Sequence, residues 1–308
     1  MTTPALPAIR EWTSTRRRIE EHPADVSGAG RLGRHVHHDS RSLWYPYQRT
    51  AVTLVSVLHK REIPVLDQGD VGSCTGNGAV GVLGTDPNYA ALPAGHPALN
   101  EAEALRIYSA AEVIDGDGPY PPNDNGSSGL SAAKAAKNAG LISGYVHCLS
   151  LADVLDALQS GALSIGINWY DSFDSPPASG LLTISKGAQV RGGHEPMLRG
   201  IDVTAQTVFG DNSWGTSWGV QGSFSMGWAT LERLLGEDGD GTVLVPLTQP
   251  APVPVPPAPV PVPPVPGPDT DPADVALMAA GDPWAAEHHV GGNGRMQRAY
   301  LAWRAAKD

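Results

Sequence analysis

The stretch DQGDVGSCTGNGAV, residues 67 to 80, sets Cys74 among glycines and small polar residues directly before a segment with helix-like spacing. A thiol attacks carbonyl carbon as the thiolate. At an ordinary pKa of about 8.5 little of it is ionised at neutral pH unless a helix N-terminus or an imidazolium lowers that value. The sequence predicts a helix from Cys74 to about Leu83, whose first free amides favour negative charge on sulfur. Gly76, Gly78 and Gly81 each weaken that helix by roughly 1 kcal/mol relative to alanine, so a close tertiary approach must select them. An imidazole follows in RGGHEPMLRGID, where His194 stands at the start of an apolar strand-like segment. FGDNSWGTSWG then supplies Asn212 with Trp214 and Trp218. A thiol, an imidazole and a side-chain amide in one chain suit acyl transfer through a covalent thioester.

The elements that must position these groups divide the chain in two. Asn100 with Glu103 caps EALRIYSAAEVI, Ser128 to Ala139 reads as an Ala-rich helix ending at Gly140, and Ser150 with Asp153 opens LADVLDALQ. Beyond residue 162 the pattern changes to the short apolar runs LSIGINW, LLTIS, MLRGIDV, QTVFG, GSFSM and TVLVPL, bounded by turn residues. The expected class is α+β, a helical first half beside a sheet-rich second half.

Composition sets the outer limits. A chain of 308 residues can bury an ordinary core, and two cysteines allow at most one bridge, which favours a reducing compartment. The formal charge of −11 argues against nucleic acid as a partner. No apolar run reaches the length of a membrane span, and the N-terminus lacks the apolar stretch of a signal peptide, so a cytoplasmic protein is expected. QPAPVPVPPAPVPVPPVPGP, within a linker at 249–270, favours polyproline II and makes a spacer of about 60 Å. Residues 1–29 are expected as a flexible arm whose triple Arg at 16 to 18 is solvated, 30–248 as the main domain, and 271–308 as a short helical module with a protein partner. Cys148 reads as a buried small residue. His35, His37, His38 and Asp39 read as a polar segment rather than a metal site, as do Glu287, His288 and His289. No metal and no cofactor is expected.

DQGDVGSC, GGH and NSWGTSWG, in that order, resemble the nucleophile, histidine and asparagine segments of the papain-like cysteine peptidases, with the GSCT form nearest a bacterial or phage-type branch. The resemblance spans roughly residues 30 to 247. It implies a two-lobed fold with a helical left half, a barrel-like right half and a cleft between them, acting on a peptide or protein substrate. It assigns attack to the Cys74 thiolate, proton transfer to His194, orientation of the imidazole to Asn212, and oxyanion stabilisation to the Gln68 side chain with the Cys74 amide. Trp214 would shield the Asn212–His194 contact and Trp218 would line the leaving-group side. NDNGSSG resembles the substrate wall, with Gly126, Ser127 and Ser128 offering backbone groups to an extended peptide. The sequence departs from the pattern at Thr75, at Glu195 and Pro196 after the histidine, and in a leading segment too short for a long inhibitory propeptide. A catalytically inactive peptide-binding or structural relative, and a Cys/His acyl transferase or cell-wall amidase, are the alternative expectations.

Overall fold

A computed structural model describes residues 16–23, 30–37, 46–49 and 53–247. The Pro-rich stretch, the tail with Glu287, His288 and His289, and His38 and Asp39 lie outside the described residues.

The helical part consists of α1 (Cys74–Leu83), α2 (Glu101–Asp115), α3 (Gly129–Asn138) and α4 (Leu151–Ala157). The side chains of Asn100 and Ser150 accept from the amides of Glu103 and Asp153, so both predicted N-caps form, and Ser128 caps α3 by accepting from the Ser131 amide. All ten residues of α1 are buried, as its glycines require. A methyl group on Gly76 would overlap the Ala104 carbonyl of α2. One on Gly78 would lie 2.6 Å from the Glu195 carbonyl, and one on Gly81 2.9 Å from the Met197 sulfur. The α1 backbone is thus wedged between α2 on one side and the segment following His194 on the other.

Beside these helices, the described residues form a nine-stranded sheet whose main path runs β4 (Gly144–Cys148), β11 (Asp240–Val245), β5 (Leu163–Tyr170), β8 (Met197–Asp202), β9 (Thr207–Asp211), β10 (Ser223–Gly227), β6 (Leu181–Leu182). Off this path β3 (Val57–Leu58) pairs with β8, and β7 (Val190–His194) pairs with β5. The class is α+β as expected, although among the described residues the sheet half is an open sheet and not a closed barrel. One apolar core, containing Ile165, Ile167, Trp169 and Phe224, belongs to the sheet side. A second, containing Val80, Leu83, Ile107 and Ala132, belongs to the helices. The sequence reading did not foresee β4 or α5 (Trp228–Gly236).

Residues 16–23 and 30–37 of the N-terminal region are described. Residues 17–18 form β1 (Arg17–Arg18), paired antiparallel with β2 (His35–Val36). Arg16 is paired with Asp115 and Asp117, and the His22 amide donates to the Arg191 carbonyl. Among the described residues the arm is therefore packed on the body and not free in solvent. Of the Arg triplet, only Arg17 and Arg18 are exposed.

Candidate active site

Cys74 is the first residue of α1, which follows the Gln68–Val71 turn and starts after Ser73, and its side chain is fully buried. His194 is the last residue of β7, in register with Ile167 of β5, rather than the start of the apolar strand, which begins at Met197. The intervening Pro196 breaks the pairing, and its carbonyl accepts from the Ile165 amide. Gly78 and Gly81 of α1 pack against Glu195 and Met197, which brings the helix that starts at Cys74 against the segment that carries the imidazole.

Asn212 follows the last residue of β9, and its Oδ1 lies 2.6 Å from His194 Nε2 while also accepting from the Ser213 amide. With Nε2 donating to Oδ1, the neutral ring keeps Nδ1 as an acceptor, and Nδ1 is buried without a hydrogen-bond partner. Trp214 lies 5.1 Å and Trp169 4.6 Å from the imidazole centroid, so indole covers the contact from two sides. Trp218 packs 5.8 Å from Trp214 and donates to the Asp174 carbonyl. Trp169 was missed from sequence. It looked like one more core residue of LSIGINWY, and only the β5–β7 register sets it beside His194.

Gln68 is tied to the same segment. Its backbone amide donates to the Ser213 carbonyl and its Oε1 accepts from Ser213 Oγ, which turns Nε2 towards Arg31 and Val71. Nε2 donates to the carbonyls of Arg31 and Val71, at 2.9 and 2.8 Å.

Arg31 belongs to a strap that fills the cleft. The Gly30 carbonyl accepts from Arg191 Nη2, and a methyl group on Gly30 would overlap the Trp214 indole. Gly33 touches the Gly72 carbonyl so closely that a methyl group there would overlap it. The Ser127 amide donates to the Gly33 carbonyl, the His35 amide to the Ser127 carbonyl, and the Arg34 amide to the Gly193 carbonyl. Of the expected substrate wall, Ser127 thus offers both backbone groups to the strap, and Gly126, at φ +82°, leaves room for the Gly33 carbonyl. Ser128 instead caps α3. Residues 30–35 thus lie across the site residues.

Coverage decides the electrostatics. Burial pushes the Cys74 thiol up to about 12, with the Glu195 carboxylate adding to the effect and the Glu195 and Gly33 amides opposing it. Burial likewise pulls His194 down to about 3, against its bond to Asn212. In this state the pair is thiol and neutral imidazole. Cys148 is buried in the sheet-side core, its thiol raised well above the usual value by burial. Among the described residues no group of three or more His, Cys, Asp or Glu side chains is arranged to hold a metal, and no helix is long and apolar enough to cross a membrane.

No family model and no curated protein matches the sequence. Solved structures do match. Xylellain, a cysteine protease from Xylella fastidiosa, superposes with a TM-score of 0.54 at 18% identity, over 76% of this chain and 99% of that one. Procathepsin B S9 from Trypanosoma congolense gives 0.51 at 13% identity, over 71% and 87% of the two chains. Digestive procathepsin L 3 of Tenebrio molitor larval midgut gives 0.50 at 17%, over 65% and 73%. The chain has the fold of the papain-like cysteine proteases.

Proposed function

We propose that this chain is a cysteine-type peptidase that hydrolyses peptide bonds through Cys74 and His194. The observation that carries the reading is the 2.6 Å contact between His194 Nε2 and Asn212 Oδ1 beneath two indoles, which holds the imidazole with Nδ1 as the nitrogen left to serve a thiol. Proton transfer from sulfur to Nδ1 makes the ion pair, and the thiolate attacks the scissile carbonyl. His194 then returns the proton to the leaving amine, and water attacks the thioester with His194 as base. The Cys74 amide, at the start of α1, and Gln68 Nε2 donate to the developing oxyanion.

The strap and a substrate exclude one another, because Arg31 and Gly33 occupy Gln68 Nε2 and the Ser127 amide. Opening the strap re-solvates the pair and removes the burial that keeps both groups neutral. A quenched fluorescent peptide library incubated with the full chain tests the reading. Hydrolysis that disappears in Cys74→Ala and His194→Ala supports it, and hydrolysis retained in Cys74→Ala overturns it.

A further inference from the structure

Arg34 is an arginine with 1% of its surface exposed, and the side-chain groups paired with its guanidinium are carboxylates. Its guanidinium occupies a pocket whose floor is set by sheet register. Gly166 of β5 lies directly opposite Asp240 of β11, and Ser164, two residues earlier, shares the same face of β5. Arg34 Nη2 donates to the Asp240 carboxylate and, at 2.9 Å, to the Asp238 carbonyl. The Glu195 carboxylate closes the other side, with Oε2 4.0 Å from Arg34 Nε and Oε1 accepting from Ser164 Oγ at 3.0 Å. Two glycines make the room. A methyl group on Gly166 would meet Arg34 Nε at 2.5 Å and Glu195 Oε2 at 2.8 Å, and one on Gly129 would overlap Glu195 Oε1. Burial and the Asp240 charge push the Glu195 carboxyl up to about 8 while Arg34 opposes them, so a cation in this pocket favours the ionised carboxylate and an apolar side chain would not.

The position along the cleft follows from the neighbours of Arg34. Gly33 lies against the Gly72 carbonyl, two residues before Cys74, and Arg34 is the next residue on the side away from Gly30 and Trp214. In the peptidase reading, on which this step rests, the leaving amine departs on the His194 and Trp214 side. A substrate therefore runs from Ser127 towards Trp214, opposite to the strap, and its residue in this pocket precedes the one whose carbonyl is attacked.

We propose that the pocket now filled by Arg34 is a substrate side-chain subsite selective for arginine, with Glu195 and Asp240 as its specificity-determining residues, so that the substrates are peptides or proteins carrying arginine immediately before the attacked residue. The strap holds the cleft by presenting the side chain the pocket selects.

The test uses the full chain with Arg34→Gln, which withdraws the internal competitor, and matched peptides carrying Arg, Gln or Leu at the position in question. Hydrolysis is measured in this chain, and binding by fluorescence anisotropy in the same chain with Cys74→Ala added. Arginine is expected to exceed leucine by about tenfold or more in both kcat/KM and affinity. Glu195→Gln and, separately, Asp240→Asn are each expected to shrink that ratio several-fold, with Tm reporting whether either variant is folded. Arginine-selective binding without hydrolysis would keep the subsite and reject the peptidase. Hydrolysis with leucine as good as arginine would keep the peptidase and reject the subsite. Failure of every peptide to bind, or a ratio unmoved in both folded carboxylate variants, would also overturn it.

Discussion

Gln68 Nε2 donates to the carbonyl oxygen of Arg31 at 2.9 Å, so the side chain expected to stabilise an oxyanion already holds a carbonyl from the chain's own N-terminal region. The donor is in place and its ligand is internal. Activity then depends on how often the strap leaves.

Gly33→Ala is the most direct probe of that equilibrium, because its added methyl group would overlap the Gly72 carbonyl. Overpacking of this kind costs about 1 to 3 kcal/mol, equivalent to a rise of roughly 5- to 150-fold in the open population. Alkylation of Cys74 is expected to accelerate by that factor, measured by intact mass over time. An unchanged rate would show that the strap does not limit access.

Asn212→Ala removes the acceptor shared by His194 Nε2 and the Ser213 amide. A fall in kcat of about 10²-fold or more is expected, with KM little changed, because the ring loses its orientation rather than its contact with substrate. The orphaned buried donors should also lower stability by about 1 to 3 kcal/mol. Steady-state kinetics and denaturant melts read the two effects separately.

Much of this site was legible because its parts are local. The turn before Cys74, the caps at Asn100 and Ser150, and three glycines on one helix each report their own backbone environment. What was hidden depends on long-range register. Nothing in LSIGINWY marks Trp169 as a neighbour of His194, because β5–β7 pairing decides it. RLGRHV likewise looks like an ordinary polar arm. Its role appears only when Gly33 meets Gly72 and Arg34 reaches Asp240 across the fold. Glu195 was noticed as a departure near the histidine, but its partners Ser164 and Arg34 come from separate parts of the chain.

Gly76→Ala sets helix propensity against packing. The exchange is worth up to about 1 kcal/mol in favour of α1 on propensity alone. The new methyl group overlaps the Ala104 carbonyl and approaches Tyr108 Cβ at 2.9 Å. Packing should prevail, lowering stability by about 1 kcal/mol or more in urea titration. A stabilised variant would refute the wedge between α1 and α2.

His35 gives a pH signature. Burial, aided by Arg16, pulls it down to about 4, so the folded chain holds a neutral imidazole where the unfolded chain, with an ordinary value near 6.5, takes up a proton. A lowered value in the folded state means stability present above pH 6.5 and lost as pH falls towards 4. Relative to His35→Leu, the native chain should lose on the order of 2 kcal/mol across that window. The difference between the two Tm profiles isolates this group from the carboxylates that titrate in both. Parallel profiles would contradict the assignment.

The central claim, that Cys74 is a nucleophile activated by His194, is tested most directly by labelling the full chain carrying Gly33→Ala with a peptidyl epoxide near pH 6.5 and locating the adduct by mass spectrometry. One adduct per chain, on Cys74, abolished by adding His194→Ala, is the expected result. No adduct, equal labelling of Cys74 and Cys148, or labelling indifferent to His194 would contradict it.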